Sequence, residues 1–356
     1  MSTQSSKPKR KLRIVSKRKE TSEKTMINPS SITESQHESR TLKKMLEETN
    51  TPLDTITPID ASNHDEIKRS LNIFGVAIIS NMLTQTETAK AIALMKEFQQ
   101  NIPNHDRFHN VMNPHGIYKY HRAGHSKMAW YIRTRPAIIN LFAMLWNVSA
   151  SDLHVSYDGS CYIPKNCRKK DKIWTHSDQA PNAHGFQCYQ GLVALTSNEQ
   201  RTLVVYPGSH KVHQEYFESK GCGKSGRAWQ RVDPLDLADL QEGSRQALSI
   251  PAGALVIWDS RVFHQNQYGK SESEERRVQY VCYMPKHSKK NTQSQQKKRI
   301  KYFIERRTTS HWPDALKVNS LQANIRGNDT YKIDYDALPI EDLSEYMSDI
   351  KKLVYK

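Results

Sequence analysis

From about residue 152 to 284 the chain becomes a succession of short β-branched and aromatic runs. That pattern limits the fold more than any other feature. HVSYDGSCYI (154–163), CYQGLVALT (188–196), TLVVY (202–206), ALVIW (254–258) and RVQYVCYM (277–284) are of strand length, and Gly, Pro and Asn punctuate them. Helical signals come earlier. Thr84-Gln-Thr-Glu87 reads as a capping box. Ala91, Met95, Phe98 and Ile102 follow at i, i+4, i+7 and i+11, so the spacing predicts an amphipathic helix over 85–102. Pro136 suits the first turn of another helix, with Ile138, Leu141, Phe142 and Leu145 on one face. FGVAII (74–79) reads as a strand. Helices first and many strands after predict an α+β protein whose main body is a sandwich or barrel. An insertion at 211–246, containing Trp229 and a helix-like stretch at 233–241, interrupts the strands.

The flanks differ from this body. Residues 1–50 are rich in Ser, Thr, Lys and Glu without an apolar period, which predicts a disordered basic tail. The body then runs over 51–285, and 286–356 form a basic and helical C-terminal extension. Within it, Ile340, Leu343, Met347, Ile350 and Leu353 fall at helical spacing. Net charge follows this division. Of the formal +16, residues 1–24 carry +7 and residues 286–307 carry +8, leaving +1 for everything else. A uniformly basic nucleic-acid binder is thereby excluded. KPKRK (7–11) and KRK (17–19) fit nuclear targeting or a phosphate-binding arm, with a solvated tail as the plain alternative.

Five cysteines (161, 167, 188, 222 and 282) form no CxxC pair, which argues against a zinc site and against a secreted disulfide scaffold. The N-terminus has no apolar signal region, and the longest apolar stretch (136–148) is too short to span a bilayer. The expectation is a soluble intracellular protein, cytoplasmic or nuclear, without a membrane span. GCGKSG (221–226) is not a P-loop, because Glu218 stands where a glycine is required.

One constellation carries chemistry. In WTHSDQAP (174–181), His176 and Asp178 are two apart, so on an extended segment they share a face. An imidazole beside a carboxylate is two thirds of the two-histidine, one-carboxylate set that leaves positions open on Fe(II). The third member is His264, at the far end of the apolar strand in IPAGALVIWDSRVFHQN (250–266), which follows the turn at Gly253. Twelve residues on, Arg276 opens the last strand. A guanidinium deep in an apolar barrel needs an anion, and a carboxylate meets it in bidentate fashion. His-x-Asp alone is weak and also fits a hydrogen-bonded pair on a strand. The ordered set of four is much more specific.

With these residues in place, the sequence resembles the phytanoyl-CoA dioxygenase-like branch of the Fe(II)/2-oxoglutarate oxygenases. GLVALTSNEQRTLVVYPGSHK (191–211) is similar to that family's strand–turn–strand ending in Pro-Gly-Ser-His. IPAGALVIWDSRVFHQN is similar to its distal-histidine strand, and residues 129–159 to the segment before the barrel. The resemblance spans about 70–285 and leaves out the tail and the basic extension. It implies a double-stranded β-helix (jelly-roll, cupin-like) core with N-terminal helices packed on it. It gives the metal to His176, Asp178 and His264, which also makes them the catalytic set. It gives the far carboxylate of 2-oxoglutarate to Arg276, with Arg277 pointing the other way by strand alternation. Asn266 matches a position where members place a small polar group near the cosubstrate, a turn residue being the alternative. Gln190 stands where some members carry an aromatic lining residue and is grouped with the cosubstrate. Retention of Asp178 implies hydroxylation rather than halogenation. The implied cofactors are Fe(II), 2-oxoglutarate and O2, with succinate and CO2 as coproducts.

Three functions follow as expectations. The first is a hydroxylase of a small-molecule or lipid-like substrate. The second is an oxygenase acting on nucleic acid or a nuclear protein, with 1–24 and 286–307 as phosphate-binding arms. The third is an inactive binding protein on the same scaffold, against which the intact set and Arg276 speak. The oligomeric state is not readable from the sequence.

Overall fold

The computed structural model of the chain describes residues 40–319, 321 and 333–355; the N-terminal basic segment 1–24 lies outside them. Two sheets dominate. The larger has six strands in the order Pro58–Asp60, Val76–Ser80, Leu255–Asp259, Tyr189–Ala194, Arg276–Val281, Ser160–Ile163. The smaller has five, in the order Gln230–Arg231, His176–Ser177, Phe263–Asn266, Leu203–Tyr206, Gln246–Ala247. Among the described residues of these two sheets, only the pair Pro58–Asp60 and Val76–Ser80 is parallel; the other pairings are antiparallel. A separate ladder joins Leu153–Val155 to Tyr283–Pro285.

Side-chain alternation explains how both faces of the large sheet are covered. Ile78, Leu192, Ala194, Val256 and Val278 turn inward and share a core with Leu203 and Val205 of the smaller sheet. Ala77, Ile79, Val193, Leu255, Ile257 and Val281 turn outward beneath helices. That outer layer contains Gln85–Gln100, which begins with the Thr84–Glu87 capping box, and Pro136–Trp146, with Pro136 in its first turn. Gly253 adopts φ +80° in the turn before Leu255–Asp259, where a Cβ would come within 2.7 Å of the Leu83 carbonyl oxygen. Only glycine is comfortable there.

Structure begins earlier than the sequence suggests. Leu42–Glu48 is a helix capped by the Thr41 hydroxyl, inside the stretch expected to be a tail. Leu42, Met45 and Leu46 bury against Val204, Tyr206 and Phe263 on the outer face of the smaller sheet. A seven-residue helix is marginal alone, so it is this packing that holds it.

The C-terminal region is bound to the body, and Ser39–Lys356 form one compact unit. The helix Gln293–Ile304 exposes Lys297, Lys298 and Lys301, but Arg299 is 2% exposed and donates to Asn291 Oδ1 and the Pro313 carbonyl. Lys286 donates to the carbonyls of Ser151 and Lys352. Part of the basic charge therefore ties the extension down. The terminal helix, expected over 340–353, is shorter, at Met347–Val354. No helix among the described residues is long and apolar enough to cross a membrane.

Buried histidines set the acid limit of this fold. His109, His121, His210 and His213 are at most 6% exposed, and burial pushes each imidazole down to about 4. A base that is neutral when folded gives its full stabilisation above its unfolded value of about 6.5, and loses it as pH falls from there toward 4. At ~1.4 kcal/mol per unit for each group, the four shifts together are on the order of 14 kcal/mol by pH 4, comparable to a whole domain's stability. Melting temperature is expected to be flat above pH 7 and to collapse between pH 6.5 and 4. A circular-dichroism melt unchanged at pH 4.5 would contradict this.

Candidate metal centre

The smaller sheet brings the His-x-Asp element to the distal histidine. His176 pairs with His264 on one side and with Arg231 on the other. Neighbouring strands hold the segment in register. The amide of Trp174 and the hydroxyl of Thr175 both donate to Gln265 Oε1, at 3.0 and 2.7 Å. After Asp178 the chain is pinned by Gln179, whose amide donates to the carbonyls of Ala183 and Gly185 while its oxygen accepts from the Ser260 hydroxyl. Alternation then turns His176 and Asp178 to one side.

His176, Asp178 and His264 are all buried, and one ligand atom from each lies within 4.8 Å of the others. His176 Nε2 is 3.5 Å from Asp178 Oδ1, and His264 Nε2 is 3.3 Å from Asp178 Oδ2. Donors ~2.1 Å from a shared ion and mutually adjacent stand about 3 Å apart. In both histidines Nδ1 faces a backbone carbonyl: Trp174 at 3.1 Å for His176 and Val262 at 2.9 Å for His264. Each Nδ1 therefore carries the proton, which frees the Nε2 lone pair toward the common centre. Burial, reinforced by His264, pushes His176 down to about 3, so its imidazole is neutral. Burial alone would raise the Asp178 carboxyl, but His311, His176 and His264 around it hold it well below the usual range. Two imidazoles with Nε2 turned toward a shared focus and a carboxylate beside them fit a divalent first-row ion.

The other predicted residues fall around this centre. Gln190 is on the wall, but its amide donates to Asp178 Oδ2 at 3.0 Å. That hydrogen bond holds the carboxylate from one side. Asn266 also lines the cavity and donates to the Tyr280 hydroxyl at 2.9 Å. Arg276 lies between the sheets, on the Val278 and Tyr280 face of its strand. It is fully buried, with Nε donating to Asn198 Oδ1 at 3.1 Å, Nη1 3.8 Å from Cys161 Sγ, and Nη2 without a partner. It lies directly behind the cavity wall, where Cys161 links it to the lining residue Asn266, whose Nδ2 is 3.9 Å from the same sulfur. Arg277 points to the helices, where Glu275 and Gln99 bind it and the Tyr162 ring lies beneath it.

The cavity beside the centre has a volume of about 350 Å3. Trp174 stacks on His176 with ring centroids 4.8 Å apart, and Trp229 approaches from outside at 5.2 Å. Sequence reasoning passed over several wall residues. Tyr280 was within reach, four residues after Arg276 and so on the same strand face. Asp158, whose carboxyl burial pushes up, has no motif to betray it. His311 comes from the C-terminal extension, with Nδ1 4.0 Å from Asp178 Oδ2, and Thr309, Trp312 and Lys317 join it on the wall.

Two histidines and a carboxylate focused on one point between two sheets form a set that can hold a divalent first-row ion and leave positions open on it. Comparison with known proteins agrees. The family described as Phytanoyl-CoA dioxygenase (PhyH) matches residues 71–278, more than half of the chain, and the chain belongs to that family. Ava biosynthesis cluster protein O from Aspergillus versicolor is 27% identical over 233 residues, covering 60% of this chain and 75% of that protein. The crystal structure of GlcNAc Inducible Gene 2 from Candida albicans covers 74% of this chain and 75% of its own at TM-score 0.56 and 14% identity, a likeness of fold. SnoK from nogalamycin biosynthesis, described as a non-heme alpha ketoglutarate dependent carbocyclase, is 18% identical and covers 64% of this chain and 87% of its own at TM-score 0.43.

Proposed function

We propose that this chain is an Fe(II)- and 2-oxoglutarate-dependent dioxygenase that hydroxylates a small organic or lipid-like molecule. Its two sheets are then the halves of a double-stranded β-helix. The observation that carries the reading is the buried convergence of His176, Asp178 and His264 with both Nε2 atoms free to coordinate. His176, Asp178 and His264 would hold the iron, and Gln190 would keep the Asp178 carboxylate turned toward it. Arg276, a buried cation with an unpaired Nη2, would hold the far carboxylate of 2-oxoglutarate, with Asn266 and Tyr280 beside it. Bound iron and 2-oxoglutarate supply the means to reduce O2, with succinate and CO2 as coproducts. Trp174, Trp258 and Leu203 give the cavity apolar walls that exclude water.

The test needs no substrate. Purified protein given Fe(II), 2-oxoglutarate and O2 is expected to form succinate slowly, and Fe(II) and 2-oxoglutarate together are expected to raise its melting temperature. Protein that binds neither would end the oxygenase reading.

A further inference from the structure

The chemistry of the cavity mouth narrows the substrate. Lys119, Arg227 and Lys317 are exposed, all three line the cavity, and none has a carboxylate partner among the described residues. They come from three distant segments: the stretch after the turn at Pro114–Gly116, the loop before Gln230–Arg231, and the C-terminal extension. Among the described residues, the carboxylates on the wall are Asp158 and Asp178. Asp178 is buried at the metal centre, and Asp158 is only partly exposed. The mouth is therefore a ring of three uncompensated cations around a pocket whose apolar wall includes four tryptophans: Trp174, Trp229, Trp258 and Trp312. Trp229 is 43% exposed, unusual for so large an apolar ring, and it sits at this mouth beside Arg227. An exposed indole next to a guanidinium is a platform for a flat group bearing negative charge. Like-signed cations converging on a concave site raise the local concentration of anions and slow their escape.

We propose, resting on the oxygenase reading above, that the substrate is a small anion with a flat apolar body. The tryptophan walls take the body, and Lys119, Arg227 and Lys317 hold the acidic group at the mouth. The His311 Nε2, buried without a partner, supplies a further polar contact inside. The acidic group can be a carboxylate or a phosphate, since exposed ammonium and guanidinium groups bind both.

The probes are 2-naphthoate, 2-naphthyl phosphate and the neutral 2-naphthamide, titrated into protein loaded with Fe(II) and 2-oxoglutarate under nitrogen. Quenching of tryptophan fluorescence reads binding. With the cosubstrate in place, its own anion site is occupied and cannot account for the result. At least one anion is expected to bind about tenfold tighter than the amide, with a preference that shrinks as salt rises. The two anions separate carboxylate from phosphate recognition. In the triple variant Lys119→Gln, Arg227→Gln, Lys317→Gln the preference is expected to vanish, while amide affinity and Fe(II)/2-oxoglutarate loading stay unchanged. All three side chains are exposed, so the variant tests charge rather than folding. Equal binding of anions and amide, no binding of any probe, or a preference that survives in the triple variant overturns the proposal and leaves the oxygenase reading intact. Failure of the wild-type protein to load Fe(II) and 2-oxoglutarate overturns both.

Discussion

Alanine in place of His176, Asp178 or His264 is expected to reduce succinate formation by at least ~10³-fold, the scale set by losing several kcal/mol of metal-borne stabilisation. The three substitutions should also separate in metal binding. Removing either histidine leaves one neutral donor and the carboxylate. Removing Asp178 leaves two neutral imidazoles and no charge to offset a dication, so Asp178→Ala is expected to weaken Fe(II) most. It also strands the Gln190 amide that now donates to Asp178 Oδ2. Isothermal titration with Fe(II) under nitrogen reads the affinities without relying on turnover. A variant that binds metal and forms succinate like the parent would remove that residue from the centre.

The second large effect has two signs. Arg276 is a fully buried cation that meets the Asn198 side chain and the Cys161 sulfur; its Nη2 meets no partner among the described residues. A buried charge without a counter-charge is costly, and an apolar residue of similar volume removes that cost. Arg276→Met is therefore expected to raise the melting temperature of the ligand-free protein. It should at the same time weaken 2-oxoglutarate by about 2–4 kcal/mol, roughly thirty- to a thousandfold. The pairing is what makes the result diagnostic. A residue that merely braces the fold would lose stability on substitution, whereas one that waits for an anion gains it and loses the ligand. Arg277→Met should do the reverse, because Glu275 and Gln99 already satisfy that side chain. Thermal melts with and without 2-oxoglutarate decide between them.

How much of this was legible depended on whether a residue's place follows from local geometry. His176 and Asp178 share a face because they are two apart on an extended segment, and Arg276 and Arg277 diverge for the same reason. His264 was found from the apolar strand before it. The amphipathic helix at Gln85–Gln100 declared itself by period, and the runs at 188–196, 202–206 and 254–258 by composition, whereas the runs at 154–163 and 277–284 each divide into two strands, Leu153–Val155 with Ser160–Ile163 and Arg276–Val281 with Tyr283–Pro285. What escaped was set by tertiary contact. The short helix Leu42–Glu48 has three apolar residues in a polar sequence, and only the sheet beneath it makes it a helix. Gln190 was placed at the site, but its role turns on one hydrogen bond to Asp178 that no spacing encodes. His311 belongs to a stretch whose composition says only that it is basic and polar, and nothing local announces that it returns to the metal centre.

That return crosses the boundary of the family match. The match ends at residue 278, yet Thr309, His311, Trp312 and Lys317 form part of the cavity wall. The matched portion carries His176, Asp178 and His264, and a segment outside it closes the cavity beside them. Changes confined to those few residues would reshape the wall and leave the three converging side chains in place.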